Sequence, residues 1–199
     1  MNRSNEIRNA HTLPETHEFS HIIDLKKDKK VSLFIQIIFI VVAIIAVGLA
    51  IAFKFPIQSE LKIVAKILLT IGFVVIYAIV HELTHGVCIH ILSKKKPIYA
   101  IKLPYLTTGS KAYFNIKSFI LIALAPVIVW GIVLLITIFF VPQILFLSVY
   151  VVLGVNFAGA AGDYVQVYYI SKLPKDTLLQ DDGTETKVFI LKDKSLFSH

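Results

Sequence analysis

IVAKILLTIGFVVIYAIVHELTHGVCIHIL, residues Ile63–Leu92, is the stretch whose reading decides this chain. It is long and apolar enough to cross ~30 Å of hydrocarbon at ~1.5 Å per residue. Its second half nevertheless carries His81-Glu82-Leu83-Thr84-His85. Ionisable side chains are costly in hydrocarbon and are rarely found there without a function. H-E-x-x-H on a helix sets two imidazoles one turn apart on one side, where they can share a metal ion. The stretch reads as part of an intramembrane zinc metalloprotease.

The bulk numbers agree with that class. Of 199 residues, 56% are hydrophobic, and the mean hydropathy is +0.76. A soluble domain this apolar would have no polar surface to spare, so an integral membrane protein is expected. Cys88 is the single cysteine, which excludes an internal disulfide and a Cys-rich zinc module. The net charge of +7 comes from lysines that flank apolar runs, as positive-inside topology requires, so no nucleic-acid partner is expected. The first 30 residues are polar and mixed in charge. No cleavable signal peptide is expected there, and the first apolar run serves as an uncleaved anchor.

Outward from the central stretch, the chain reads as an all-α integral membrane protein with about four transmembrane helices. Residues 1–30 form a cytoplasmic N-terminal segment, in which Pro14 opens a short surface helix carrying Leu13, Phe19, Ile22 and Ile23. Residues 31–171 form the four-span membrane domain, and residues 172–199 a cytoplasmic tail with a turn at Asp181-Asp182-Gly183. The spans are Val31–Phe53, Ile63–Leu92, Phe119–Phe140, which Pro126 should kink, and Ile144–Ile170. Between the second and third, Ile98–Leu103 and Lys111–Ile116 read as strands of a short β-hairpin or re-entrant loop, with Leu106–Ser110 as its turn. The lysine clusters at Lys26–Lys30, at Lys94–Lys96 and at Lys172 and Lys175 share one side if both termini are cytoplasmic. The expected location is the cell membrane, with a multi-pass chain embedded in the lipid bilayer.

A zinc protease needs three protein ligands and one open position for water. His81 and His85 supply two, and Glu82 lies beside them as general base. Besides Glu82, the only acidic residue inside an expected span is Asp163. His85 lies nine residues before Lys94, and Asp163 nine before Lys172, so both would sit roughly 13 Å below one interface. Asp163 shares a helix face with Asn156, Gly159 and Ala160, whose small members would admit a close helix. Asn156 could donate to a substrate carbonyl or its oxyanion.

Plainer readings stand beside these. A His–Asp set can also be packing glue inside a bundle. Cys88, seven residues after His81, reads as a small buried side chain, and His90 as structural. His17-Glu18-Phe19-Ser20-His21 also fits H-E-x-x-H, but lies in a short polar lead with no means of shaping a pocket.

His81-Glu82-Leu83-Thr84-His85-Gly86, the basic turn after it, Ala123-Leu124-Ala125-Pro126 and Asn156…Gly162-Asp163 together resemble the putative membrane zincin peptidases, formerly a domain of unknown function. Ile23-Asp24-Leu25-Lys26-Lys27 is similar as well. More distantly the chain resembles the site-2 proteases, with departures: Gly159 stands where a proline belongs, and Tyr164 follows the aspartate. The resemblance implies Zn2+ held by His81, His85 and Asp163, with Glu82 as acid/base. The function expected is an intramembrane endopeptidase that cuts a membrane-associated protein near the cytoplasmic face. The alternatives are a non-catalytic membrane binding protein on a degenerate protease fold and a small metal transporter. Glu82 separates them, because only hydrolysis requires it.

Overall fold

Alternation of very apolar runs with short polar connections produces, among the described residues, four helical stretches long and apolar enough to cross a membrane, the fourth being Gln143–Ser171. The computed structural model describes residues 9–192, apart from Lys26, Asp28, Gln58, Ser59, Leu103 and Pro104. In chain order the elements are strand β1 (His17–Ile23), helices α1 (Lys29–Ala52) and α2 (Ile63–Ser93), and strands β2 (Ile98–Lys102), β3 (Tyr105–Gly109) and β4 (Phe114–Asn115). Helices α3 (Ile116–Thr137), α4 (Gln143–Gly159) and α5 (Ala161–Ser171) follow, then strands β5 (Leu178–Asp181) and β6 (Thr186–Leu191).

The helices are apolar on all sides, and their outward faces expose side chains such as Ile44, Ile51, Leu68 and Ile132. Hydrocarbon tails suit such a surface, and helix association then rests on close packing and hydrogen bonds. α2, α3 and α4 pack on one another, while α1 leans on α4 and α5. Thr70 donates its hydroxyl proton to the Lys66 carbonyl at 2.8 Å, so at 2.8 Å Ser148 of α4 is the donor to Thr70. Tyr150 of α4 donates to the Ala46 carbonyl of α1, with Phe55 set edge-on against its ring.

The expected fourth span divides in two. The backbone leaves helical geometry at Ala160 (φ −76°, ψ 8°) and resumes at Ala161. Gly159-Ala160-Ala161-Gly162 offers no bulky side chain to hold the helix straight, and glycine weakens a helix interior. The break sets Asp163 in the first turn of α5, where the helix dipole favours a negative charge.

Three expectations of local structure are corrected. The lead is not a surface helix; residues 17–23 form β1. It pairs antiparallel with β6, from His17 opposite Leu191 to Ile23 opposite Thr186, with a bulge between Phe19 and His21. The helical reading failed because the strand's partner lies at the far end of the chain. The hairpin is real, but its second strand is Tyr105–Gly109 rather than Lys111–Ile116, where Phe114–Asn115 pairs with β5 and Ile116 opens α3. Ile98 faces Gly109 and Lys102 faces Tyr105, so Leu106–Gly109 is strand. Thr107 and Thr108 are β-branched and suit a strand; read as polar residues beside a glycine, they had looked like a turn. The tail is not merely polar, since Leu178, Leu179 and Val188 are fully buried.

The terminal segments therefore meet in a four-stranded sheet of order β1-β6-β5-β4. One face packs Phe114, Leu179 and Val188 against Ile89, Phe119, Ile122 and Ile170, at the ends of α2, α3 and α5. Gln166 of α5 reaches into the sheet, donating to Asp181 at 2.8 Å and to Thr186 at 2.7 Å. Burial pushes the Asp181 carboxyl above its ordinary value, and hydrogen bonds from Thr186, Gly183 and Gln166 oppose that shift.

The hairpin is pinned to this sheet. Ser110 donates its backbone N–H to the Asp181 carbonyl at 2.7 Å. A Cβ at Gly109 would lie 2.2 Å from the Asp182 carbonyl carbon, so only glycine admits this approach. Gly109→Ala should cost about 1–3 kcal/mol, a typical overpacking penalty, and lower the thermal unfolding midpoint in detergent. Gly48→Ala, with open space around it, should not. Equal midpoints would mean that the hairpin is not seated on the β5–β6 turn.

Candidate metal centre

Helical spacing brings the two imidazoles of α2 together, with Nε2 of His81 and Nε2 of His85 3.2 Å apart. Asp163 faces both. Its Oδ2 is 3.6 Å from His81 Nε2, and its Oδ1 is 3.9 Å from His85 Nε2. These separations are too long for hydrogen bonds. They match tetrahedral ligation, in which donors ~2.1 Å from zinc stand roughly 3.4 Å from one another. The Glu82 carboxylate lies within 4.8 Å of both imidazoles.

The far side of each ring fixes its proton. Nδ1 of His85 lies 2.9 Å from the Ile122 carbonyl oxygen, which can only accept, so Nδ1 is the donor. Asn156 donates Nδ2–H to the Val127 carbonyl at 3.1 Å and thereby turns its Oδ1 to Tyr77. Tyr77 donates its one hydroxyl proton to that Oδ1 at 2.8 Å. The tyrosine oxygen, 3.0 Å from Nδ1 of His81, is left to accept. In its neutral form each imidazole therefore carries hydrogen on Nδ1 and aims the Nε2 lone pair inward. Two lone pairs and a carboxylate then converge on one point with no proton between them. That arrangement is repulsive unless a cation is shared, and the donor set fits zinc.

Glu82 is held from the hairpin. Thr108 of β3 donates to Glu82 Oε2 at 2.6 Å and lies 3.0 Å from the Glu82 carbonyl. Gly86 lets the hairpin come this close, because a Cβ there would fall 2.0 Å from the Tyr99 hydroxyl of β2. Trp130 of α3 donates to Thr84 Oγ1 at 2.9 Å, clamping the same turn of α2 from the other side. A cavity of about 590 Å³ opens at Glu82, His85 and Asp163. It runs along Leu106–Ser110 of the hairpin, past Gln36 of α1, to Gln166 and Asp181. Its size suits a short length of chain.

The structure thus brings together His81, Glu82, His85 and Asp163, as the matched depths of His85 and Asp163 led one to expect. Asn156 lies elsewhere than expected. It is fully buried, and its amide is engaged with Val127, so it stands behind His81 rather than toward a substrate. Cys88 packs beside the apolar cluster under the sheet, and His90 faces the Lys95 carbonyl at 3.2 Å. The contacts of Tyr77 and Thr108 were missed. Tyr77 had a signal, since it lies four residues before His81 on the same face. Thr108 had none, because a hairpin's placement over a helix is a long-range contact.

The second H-E-x-x-H match falls on β1, where residues four apart are roughly 13 Å from each other and cannot share an ion. His17 is buried, donating Nε2–H to the Asp176 carbonyl at 3.0 Å and accepting from Thr16 at Nδ1. His21 is exposed beside Ser20.

Set against known proteins, residues 73–178 match a family model described as "Putative zincin peptidase", a little over half of the 199-residue chain. No curated protein and no solved structure matches the chain.

The two histidines of β1 should behave differently on substitution. His17→Ala leaves the Asp176 carbonyl without its donor and should destabilise the protein by about 1–3 kcal/mol. His21→Ala, at the surface, should stay within ~0.5 kcal/mol. Thermal unfolding in detergent, with metal content measured in parallel, tests this. Loss of metal in either variant would contradict the placement of the site on α2.

Proposed function

This chain belongs to the family described as putative zincin peptidases, and on that premise we propose that it is a zinc-dependent endopeptidase embedded in the membrane. It cuts a membrane-associated protein near the cytoplasmic face. The observation that carries this reading is the convergence of His81, His85 and Asp163 within 3.9 Å of one another, with Glu82 beside them.

His81 and His85 would hold zinc through Nε2, and Asp163 through its carboxylate. The ion supplies Lewis acidity, which lowers the pKa of water and polarises the scissile carbonyl. The chain's own residues do the rest. Glu82 takes the proton of the attacking water and passes it to the departing amine nitrogen. Thr108, by donating to Oε2, keeps that carboxylate aimed. Asn156 contributes by orienting Tyr77, not by touching the substrate.

β3 pairs with β2 on one side, and its residues line the cavity. An unwound substrate strand could add to its other edge and bring a peptide bond to Glu82. Exposed backbone groups at membrane depth need a partner or water, which supports a peptide as occupant. Both terminal segments meet in one sheet, which supports an even number of crossings. The lysines at that end support a cytoplasmic placement.

The test is metal content together with cleavage of membrane-anchored peptides. Wild type should carry about one zinc per chain, and His85→Ala and Asp163→Ala should lose it. Glu82→Gln should keep the zinc and lose about 10³-fold in cleavage rate. Undiminished cleavage by Glu82→Gln would refute the assigned base. Zinc flux across vesicles by the same variant would favour a transporter.

A further inference from the structure

Pro126 sits in the middle of α3, fully buried. A proline nitrogen carries no hydrogen, so the carbonyl four residues earlier loses its helical donor. That carbonyl belongs to Ile122, and it is the oxygen that faces His85 Nδ1 at 2.9 Å. The proline thus frees one acceptor, buried beside the metal centre, which the imidazole fills. The adjoining turn serves the other histidine. Val127 accepts from Asn156, Asn156 accepts from Tyr77, and Tyr77 accepts from His81. One short segment of α3 therefore sets the proton on both rings.

We propose that Pro126 and Tyr77 are positioning residues that lock His81 and His85 as Nδ1–H tautomers, so that both Nε2 lone pairs are aimed before metal arrives. This rests on the metal reading of the site. A ring held this way does not have to reorient or change tautomer on binding, and partners of this kind strengthen metal affinity about 10- to 100-fold. The expected signature separates this role from a plain helix kink. In Pro126→Ala the restored N–H competes with His85 for the Ile122 carbonyl, so zinc affinity falls. The helix itself should hold or gain stability, because alanine is the better helix former. A proline that only shaped the helix would change stability and leave affinity untouched.

The experiment is zinc titration of the full-length, detergent-purified chain in competition with a chromophoric chelator. It compares wild type, Pro126→Ala, Tyr77→Phe, His85→Ala and, as a control remote from the centre, His90→Ala. Unfolding midpoints and cobalt absorption spectra are recorded on each. Affinities of Pro126→Ala and Tyr77→Phe each reduced about 10- to 100-fold, with His90→Ala like wild type and the midpoint of Pro126→Ala preserved, support the proposal. Equal affinities in wild type, Pro126→Ala and Tyr77→Phe, with His85→Ala binding none, overturn it and leave the metal site standing. No zinc bound by wild type overturns both.

Discussion

Two imidazole lone pairs and a carboxylate, brought within 3.9 Å of one another inside an apolar bundle, are the constraint on which the rest depends. Like-signed electron pairs do not gather in a low-dielectric interior without compensation. A divalent cation would supply it. The surrounding residues then have an evident purpose, since each removes a way for the three donors to turn aside. Ile122 and Tyr77 hold the rings, the break at Ala160 sets the aspartate at the start of α5, and Thr108 holds the neighbouring glutamate.

The fold is arranged to deliver these groups to one depth. α2 carries three of them and is gripped from both sides, by Trp130 on α3 and by the hairpin over Gly86. The break at Ala160 lets Asp163 begin a helix rather than sit within one. The sheet built from both ends of the chain caps the bundle with a core of ordinary soluble character, in which Phe114, Leu178, Leu179 and Val188 are almost wholly buried. Through Gln166 and Asp181 it reaches the cavity that opens at the metal centre. Displacing either end of the chain would therefore be felt at the cavity wall.

Some of this was legible in the sequence. Hydropathy and helical period mark the four long helices, because lipid demands apolar length regardless of tertiary detail. The spacing of His81 and His85 and the matched depth of Asp163 follow from rise per residue alone. Tyr77 was open to the same reasoning, four residues before His81. The strand at the N-terminus was not, because β1 is specified by β6 at the other end of the chain, and its H-E-x-x-H pattern imitates a helix. The hairpin turn was misplaced because Thr-Thr-Gly serves strand and turn alike. Thr108 and Asn156 depend on which element lies over which, and no local pattern carries that.

X-ray absorption at the zinc edge of the purified protein decides whether His81, His85 and Asp163 share one ion. A shared ion should show a shell of nitrogen and oxygen alone at ~2.0–2.1 Å, with outer-shell scattering from two imidazoles. Sulfur at ~2.3 Å would bring Cys88 into the site. A single imidazole, or zinc with only outer-sphere contacts, would mean that His81, His85 and Asp163 do not share an ion.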